Sequence, residues 1–251
     1  MDTFKRNEMR TFPTKQEILN TKTINDLIYG FLQINSFLTE DKRRYCIKSE
    51  VTSGKIIKYY QENNKQCPFS DSTIKRVLKL FCSDECGLTK EGTVGSKKVL
   101  FLPDLEAGKY VFIKTNTLRY LVNTANSNVI KVYAFLKMKQ QQHDDFNYKE
   151  SYRFSKAKLL EVIGYNSTNK DNYVMIKDIL DCLQNNGLIV FHQEYKQTNS
   201  GQIAPYLILD KVNDDYITNF TPKQKQKEDS FIAVPAEDLS EKPKSEPKFV
   251  F

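Results

Sequence analysis

The sequence predicts an α+β, mainly helical fold built from two successive units of one pattern and closed by a disordered tail. Three observations predict it. Apolar residues recur at helical spacing in pairs of neighbouring helices. Each pair is followed by two β-rich segments around a turn. Beyond about residue 217 the chain loses its apolar anchors.

The pattern is plainest between Tyr152 and Leu209. Ser155 is placed to cap a helix carrying Leu159, Leu160 and Ile163, and Gly164 to stop it. Asn166-Ser167-Thr168-Asn169 is turn chemistry. Ile176, Ile179, Leu180 and Leu183 then line one face of a second helix, which Asn185-Asn186-Gly187 ends. Leu188 to Tyr195 is apolar and β-branched, Asn199-Ser200-Gly201 reads as a hairpin tip, and Tyr206 to Leu209 returns. Helix, turn, helix and a two-stranded wing is the order of a winged helix.

From the N-terminus, residues 1–22 are polar, carry Pro13 and read as a flexible arm with at most a loosely held turn. A first unit, residues 23–105, opens with a helix whose stripe is Ile24, Leu27, Ile28, Phe31 and Leu32. Tyr45-Cys46-Ile47 is short and extended, and Ile56, Ile57 and Tyr60 mark a second helix. Ser70 caps a third, with Asp71 in its first turn and Ile74, Val77, Leu78 and Phe81 inward. Two strands follow around Thr93-Val94-Gly95-Ser96, giving a second winged-helix order.

Residues repeat along with elements. Tyr29-Gly30-Phe31-Leu32 matches Tyr133-Ala134-Phe135-Leu136, Ile74-Lys75 with Leu78 matches Ile176-Lys177 with Leu180, and Gly87-Leu88 matches Gly187-Leu188. All three fall in the same order on the same element, as an internal duplication would leave them. Pro103 to Gly108 is the joint. The second unit, residues 109–216, opens with a strand-like run and short helix over Lys109–Leu121. A long helix spans Val129–Met138, and a polar loop follows from Gln140 to Lys149. Residues 217–251 are rich in Lys, Glu, Pro and Ser, and their charges balance. Phe231-Ile232-Ala233-Val234 and Phe249-Val250-Phe251 are short apolar motifs suited to docking a replication or host protein; a solubilising tail is the alternative reading.

Composition excludes several classes. No apolar run approaches the ~20 residues that span a bilayer, and MDTFKRNEMR has no hydrophobic signal core, so a cytoplasmic protein with no membrane partner is expected. Five irregularly spaced cysteines fit a reducing compartment rather than a disulfide framework. Cys82 and Cys86 lack the second close pair that structural zinc sites show. Two histidines, His143 and His192, form no nucleophile–base set, and phosphate-cradling glycine motifs are missing. Asp144-Asp145 and Asp214-Asp215 read as loop acids. Neither an enzyme nor a cofactor is expected.

Charge placement points to binding. Between Lys42 and Lys98 there are 13 Lys and Arg against 6 Asp and Glu, which matches the whole net charge of +7. A localised basic field suits a polyanion, because cations displace counterions from phosphates; a solvated basic face is the bland alternative. In a winged helix the second helix of the helix-turn-helix enters the major groove of double-stranded DNA and the wing meets the backbone. In the first unit that helix turns Ser72, Thr73, Lys75, Arg76 and Lys79 outward, with Lys55, Lys58, Lys97 and Lys98 around it. Arg76 is suited to a bidentate guanine contact and the lysines to phosphate. The second unit offers Asn169, Lys170, Asn172 and Lys177, the asparagines suited to adenine, but also Asp171, Asp178 and Asp181, which phosphate repels. Packing or homodimer formation is the competing role for that helix.

The tandem order, with YAFLK, FSKAKLLEVIGY and IKDILDCLQNNGLIVF in the second unit, resembles the replication initiators of bacterial plasmids and phages over residues 23–210. The resemblance implies two winged helices on direct-repeat origin DNA, with one of them also mediating dimer formation. A transcriptional regulator and a winged-helix protein–protein adaptor are the alternatives.

Overall fold

A computed structural model describes residues 9–13, 24–41, 43–83, 86, 88–102, 110–145, 152–197 and 203–216, all within one compact unit, residues 1–220. It is an α+β fold with seven α-helices among the described residues. The predicted tail, residues 217–251, and the hairpin tip at 199–201 lie outside them.

The first half runs α1 (Ile24–Ile34), β2 (Phe37–Leu38), β3 (Arg44–Ile47), a 3-10 turn (Lys48–Glu50), α2 (Ser53–Glu62), α3 (Asp71–Phe81), β4 (Lys90–Val94) and β5 (Lys97–Phe101). Helix starts follow capping chemistry. Thr52 accepts the Lys55 N–H at 3.4 Å, and Ser70 accepts the Thr73 N–H at 3.3 Å. The strands form one antiparallel sheet in the order β2-β3-β5-β4, with Cys46 opposite Leu100 on the core face.

The second half repeats the order with α5 (Ser127–Asp145), β7 (Tyr152–Phe154), α6 (Lys156–Ile163), α7 (Lys170–Asn185), β8 (Ile189–Gln197) and β9 (Ile203–Val212). Its sheet, β7-β9-β8, has the arrangement of β3-β5-β4: the strand just before the helix pair joins the last strand of the hairpin, while β2 has no counterpart among the described residues of this sheet. Residues matched along the sequence occupy matching places. Tyr29 and Tyr133, Ile74 and Ile176, and Leu88 and Leu188 are all buried. Gly164 (φ +80°) and Gly187 (φ +69°) take the left-handed conformation where the sequence places helix stops. Behind each, an N–H reaches back across the last turn: Tyr165 to the Leu160 carbonyl and Leu188 to the Leu183 carbonyl, both 2.9 Å.

Between the halves lie β6 (Tyr110–Lys114) and α4 (Thr115–Asn123). Residues 9–13, read from sequence as part of a flexible arm, form a strand, β1 (Met9–Pro13), antiparallel to β6. The physical reason is β6's free edge: its ladder groups find no partner in either half's sheet, and an extended segment ending in Pro13 satisfies them. Helix α5 also runs to Asp145, past the predicted loop start at Gln140.

The halves share a core. Helix α1 packs on both α4 and α5. Gly30 permits the close approach, since a Cβ there would lie 2.6 Å from Val122 Cγ2. Across the α1–α5 contact, the Asp26 carboxylate accepts the Ser127 hydroxyl at 3.1 Å and lies 3.5 Å from Lys131 Nζ, both charged side chains being at most 3% exposed. Asp214, read as a loop acid, is an anchor instead. Its carboxylate accepts the Lys114 N–H at 3.0 Å, sits 2.9 Å from Lys137 Nζ and lies 3.2 Å from the Tyr133 hydroxyl. A largely buried carboxylate so ligated ties the chain just past β9 to β6 and α5.

Candidate nucleic-acid interface

The strongest concentration of outward cations lies on the first half, where three elements meet. Helix α3 buries Ile74, Val77 and Phe81, and this leaves Lys75, Arg76 and Lys79 in solvent. The side chains of Lys75, Leu78 and Lys79 border a cleft of about 400 Å³ whose other wall includes Lys48, Thr52 and Glu91. An adjoining depression of about 530 Å³ runs from Lys48, Glu50 and Thr52 to Lys97 and Lys98 on the β4–β5 hairpin. The two share Lys48 and Thr52, so helix, turn and hairpin form one continuous surface.

Some of its charge is tied up. Lys75 pairs with Asp71 at 2.7 Å, Lys48 with Glu91 at 2.6 Å, Lys55 with Glu50 at 3.2 Å and Lys58 with Glu62 at 3.5 Å. These pairs are exposed, and such pairs hold their partners weakly enough to exchange for phosphate. Hydrogen bonds from Lys75 and Ser53 hold the Asp71 carboxyl below its usual range. Arg76, Lys79, Lys97 and Lys98 form no ion pair with a described residue. They are the cations most available to an anion.

The hydroxyls of Ser72 and Thr73 lie 3.1 and 2.9 Å from Ser70 Oγ, so both belong to the capping network at the start of α3. Lys55 and Lys58, on α2, line neither depression. Sequence reading does not single out Lys48 or Thr52; the only signal was their place in the basic span, since their convergence on α3 needs the sheet to form.

On the second half, α7 takes the place of α3 but not its electrostatics. Asn169 caps the helix, accepting the Asp171 N–H at 2.9 Å, and the Asn172 amide donates to the Asn166 carbonyl at 2.7 Å. Both asparagines therefore serve the turn rather than standing free. Lys170 and Lys177 are exposed, yet Asp171 and Asp178 border a cleft of about 450 Å³ beside Val174 and Met175, against Thr124 and Asn126. The hairpin here sets two acids around its histidine. His192 lies 2.9 Å from Asp210 and 3.5 Å from Glu194, and the Asp210 hydrogen bond raises its pKa.

All five cysteines are free, and among the described residues no group of three or more His, Cys, Asp or Glu is placed to hold a metal. No helix among those residues is long and apolar enough to cross a membrane. The chain matches no protein-family model, no curated protein and no solved structure.

Proposed function

We propose that the chain is a non-enzymatic, sequence-specific double-stranded DNA-binding protein of two winged-helix units, initiating or regulating replication of a plasmid or phage. The observation that carries the DNA-binding reading is the continuous cationic surface made by α3, the Lys48 turn and the β4–β5 hairpin. A helix with its apolar stripe inward and Lys75, Arg76 and Lys79 outward suits the major groove, and Lys97 and Lys98 suit the flanking phosphates. The repeated element order and the matching sheet orders support the tandem winged-helix reading. The replication role rests on the resemblance in residue pattern alone; transcriptional regulation uses the same surface.

The test is duplex binding measured across salt concentration, with selection of bound fragments from a random library. Each phosphate contact contributes ~0.9 to the log–log slope, so a slope of ~4 or steeper and a recovered consensus are the expected results. A slope near zero would move the function to a protein–protein adaptor.

The two halves should not contribute equally. Lys170→Ala with Lys177→Ala is expected to cost less affinity than Lys75→Ala with Lys79→Ala on the same fragment, because α7 sets Asp171, Asp178 and Asp181 against those lysines and presents little net positive field. Gel shifts of both variants alongside light-scattering masses check this. The exposed Val174 beside Met175 suits α7 to homodimer formation, so loss of dimer in the α7 variant would assign that helix to assembly. A larger affinity loss with unchanged mass would make α7 the principal reading helix.

A further inference from the structure

The first half's sheet carries a second surface that shares only Lys97 with the duplex reading. Phe37 pairs with Tyr45, Tyr45 with Phe101, and Phe101 with Lys90, so each of the four strands contributes one side chain to a single line. This line is on the face turned away from the core, because the alternating neighbours Cys46 and Leu100 belong to the hydrophobic core. Ring centroids are 5.9 Å apart between Phe37 and Tyr45 and 6.3 Å apart between Tyr45 and Phe101. Among the described residues Phe37 is 51% exposed, which leaves much of its ring open to a partner. The Arg43 guanidinium, paired with Asp41 at 2.6 Å, lies 4.9 Å over the Phe101 ring and adds a planar group to the line. Phe101 itself is seated closely, since a Cβ on Gly92 would meet its ring at 2.7 Å.

We propose that this aromatic line is a binding site for single-stranded DNA, which stacks its bases on Phe37 and Tyr45 and lays its phosphates along Lys90 and Lys97. Rings ~6 Å apart are wider than the about 3.4 Å rise of stacked bases in a duplex and match bases already unstacked. Lys97 stands on the same face as Phe101 by alternation along β5, and neither it nor Lys90 forms an ion pair with a described residue. Bases need a π-face and phosphates need cations, and the line supplies both within one sheet. The choice of DNA over another single strand rests on the duplex-binding reading of the neighbouring surface.

The experiment is fluorescence anisotropy of the full chain with a fluorescein-labelled oligothymidylate of about 20 nucleotides, with a duplex of the selected sequence measured in parallel. Phe37→Ala is expected to weaken oligothymidylate binding more than about fivefold, the scale of one lost base stack. Phe37→Tyr keeps the affinity, because the π-face remains. Lys90→Glu, an exposed change that leaves the core untouched, lowers oligothymidylate affinity as well. Duplex affinity stays unchanged in all three, which separates failure of this site from failure of the duplex reading. No oligothymidylate binding by the native chain, or unchanged binding by Phe37→Ala and Lys90→Glu, overturns the proposal. So does a Phe37→Ala variant that changes oligomeric mass while binding oligothymidylate normally, which would make the line a contact between copies of the chain.

Discussion

Replacing Lys75, Arg76 and Lys79 together by alanine is expected to weaken duplex DNA binding by more than about tenfold and to leave the fold intact. The affinity loss has two parts. Removing the Arg76 guanidinium removes the group best shaped for a bidentate guanine contact, worth about 1–3 kcal/mol of discrimination. Removing the two lysines takes ~2 units from the log–log salt slope. The fold should persist because Ile74, Val77 and Phe81, which hold α3 to the core, are untouched. The lost Lys75–Asp71 pair is exposed and holds α3 weakly, and alanine's helix propensity works in the opposite direction. Anisotropy with a selected duplex, together with circular dichroism melting, checks both halves of the prediction. A folded triple variant with native affinity would place the DNA contacts elsewhere.

Replacing Lys131 by methionine is expected to destabilise the protein by about 3–5 kcal/mol at pH 8, because it leaves the Asp26 carboxylate buried without its cation. The loss should shrink at lower pH. Burial pushes the Asp26 carboxyl up from 3.8 to about 7, with Lys131 and Ser127 opposing it. A carboxyl whose folded pKa is raised contributes stability that is fully present below its unfolded value and is lost as pH rises through the folded one. The native protein should therefore weaken between about pH 4 and pH 7, and Lys131→Met, which removes a group that lowers the Asp26 pKa, should carry that fall to higher pH. His192 titrates with the same sign, but its side chain is half exposed, and His192→Gln is a control that should leave the slope almost unchanged. Asp26→Leu with Lys131→Met removes both charges and should restore a pH-independent stability close to native or above it. Urea denaturation of the four proteins at several pH values measures this. A Lys131→Met loss that is equal at pH 5 and pH 8 would show that Asp26 does not carry the charge assigned to it.

These two sites differ in how far the sequence revealed them. The outward residues of α3 were legible because helix periodicity fixes which side chains leave the core, and Ser70 fixes where the helix begins. The Asp26–Lys131 pair was not. Asp26 looks like an ordinary acid in a first helical turn, and its partner is 105 residues away on α5, so only packing of α1 against α5 brings them together. Asp214 is similar: its short-range context is a polar loop, and its ligands come from β6 and α5. The β1–β6 pairing was also hidden, since a strand of five residues with no apolar alternation gains its stability from a distant edge.

The sequence by itself determined the helices, their caps and stops, the repeated order of elements and the concentration of cations between Lys42 and Lys98, because each depends on spacing of a few residues. The tertiary structure alone decided which of those cations share a surface. Lys48, Lys75, Lys79, Lys97 and Lys98 come from three elements and converge only once β3, β5 and β4 pair. It also decided that Phe37, Tyr45, Phe101 and Lys90 stand in one line, since strand register joins residues that no local pattern connects.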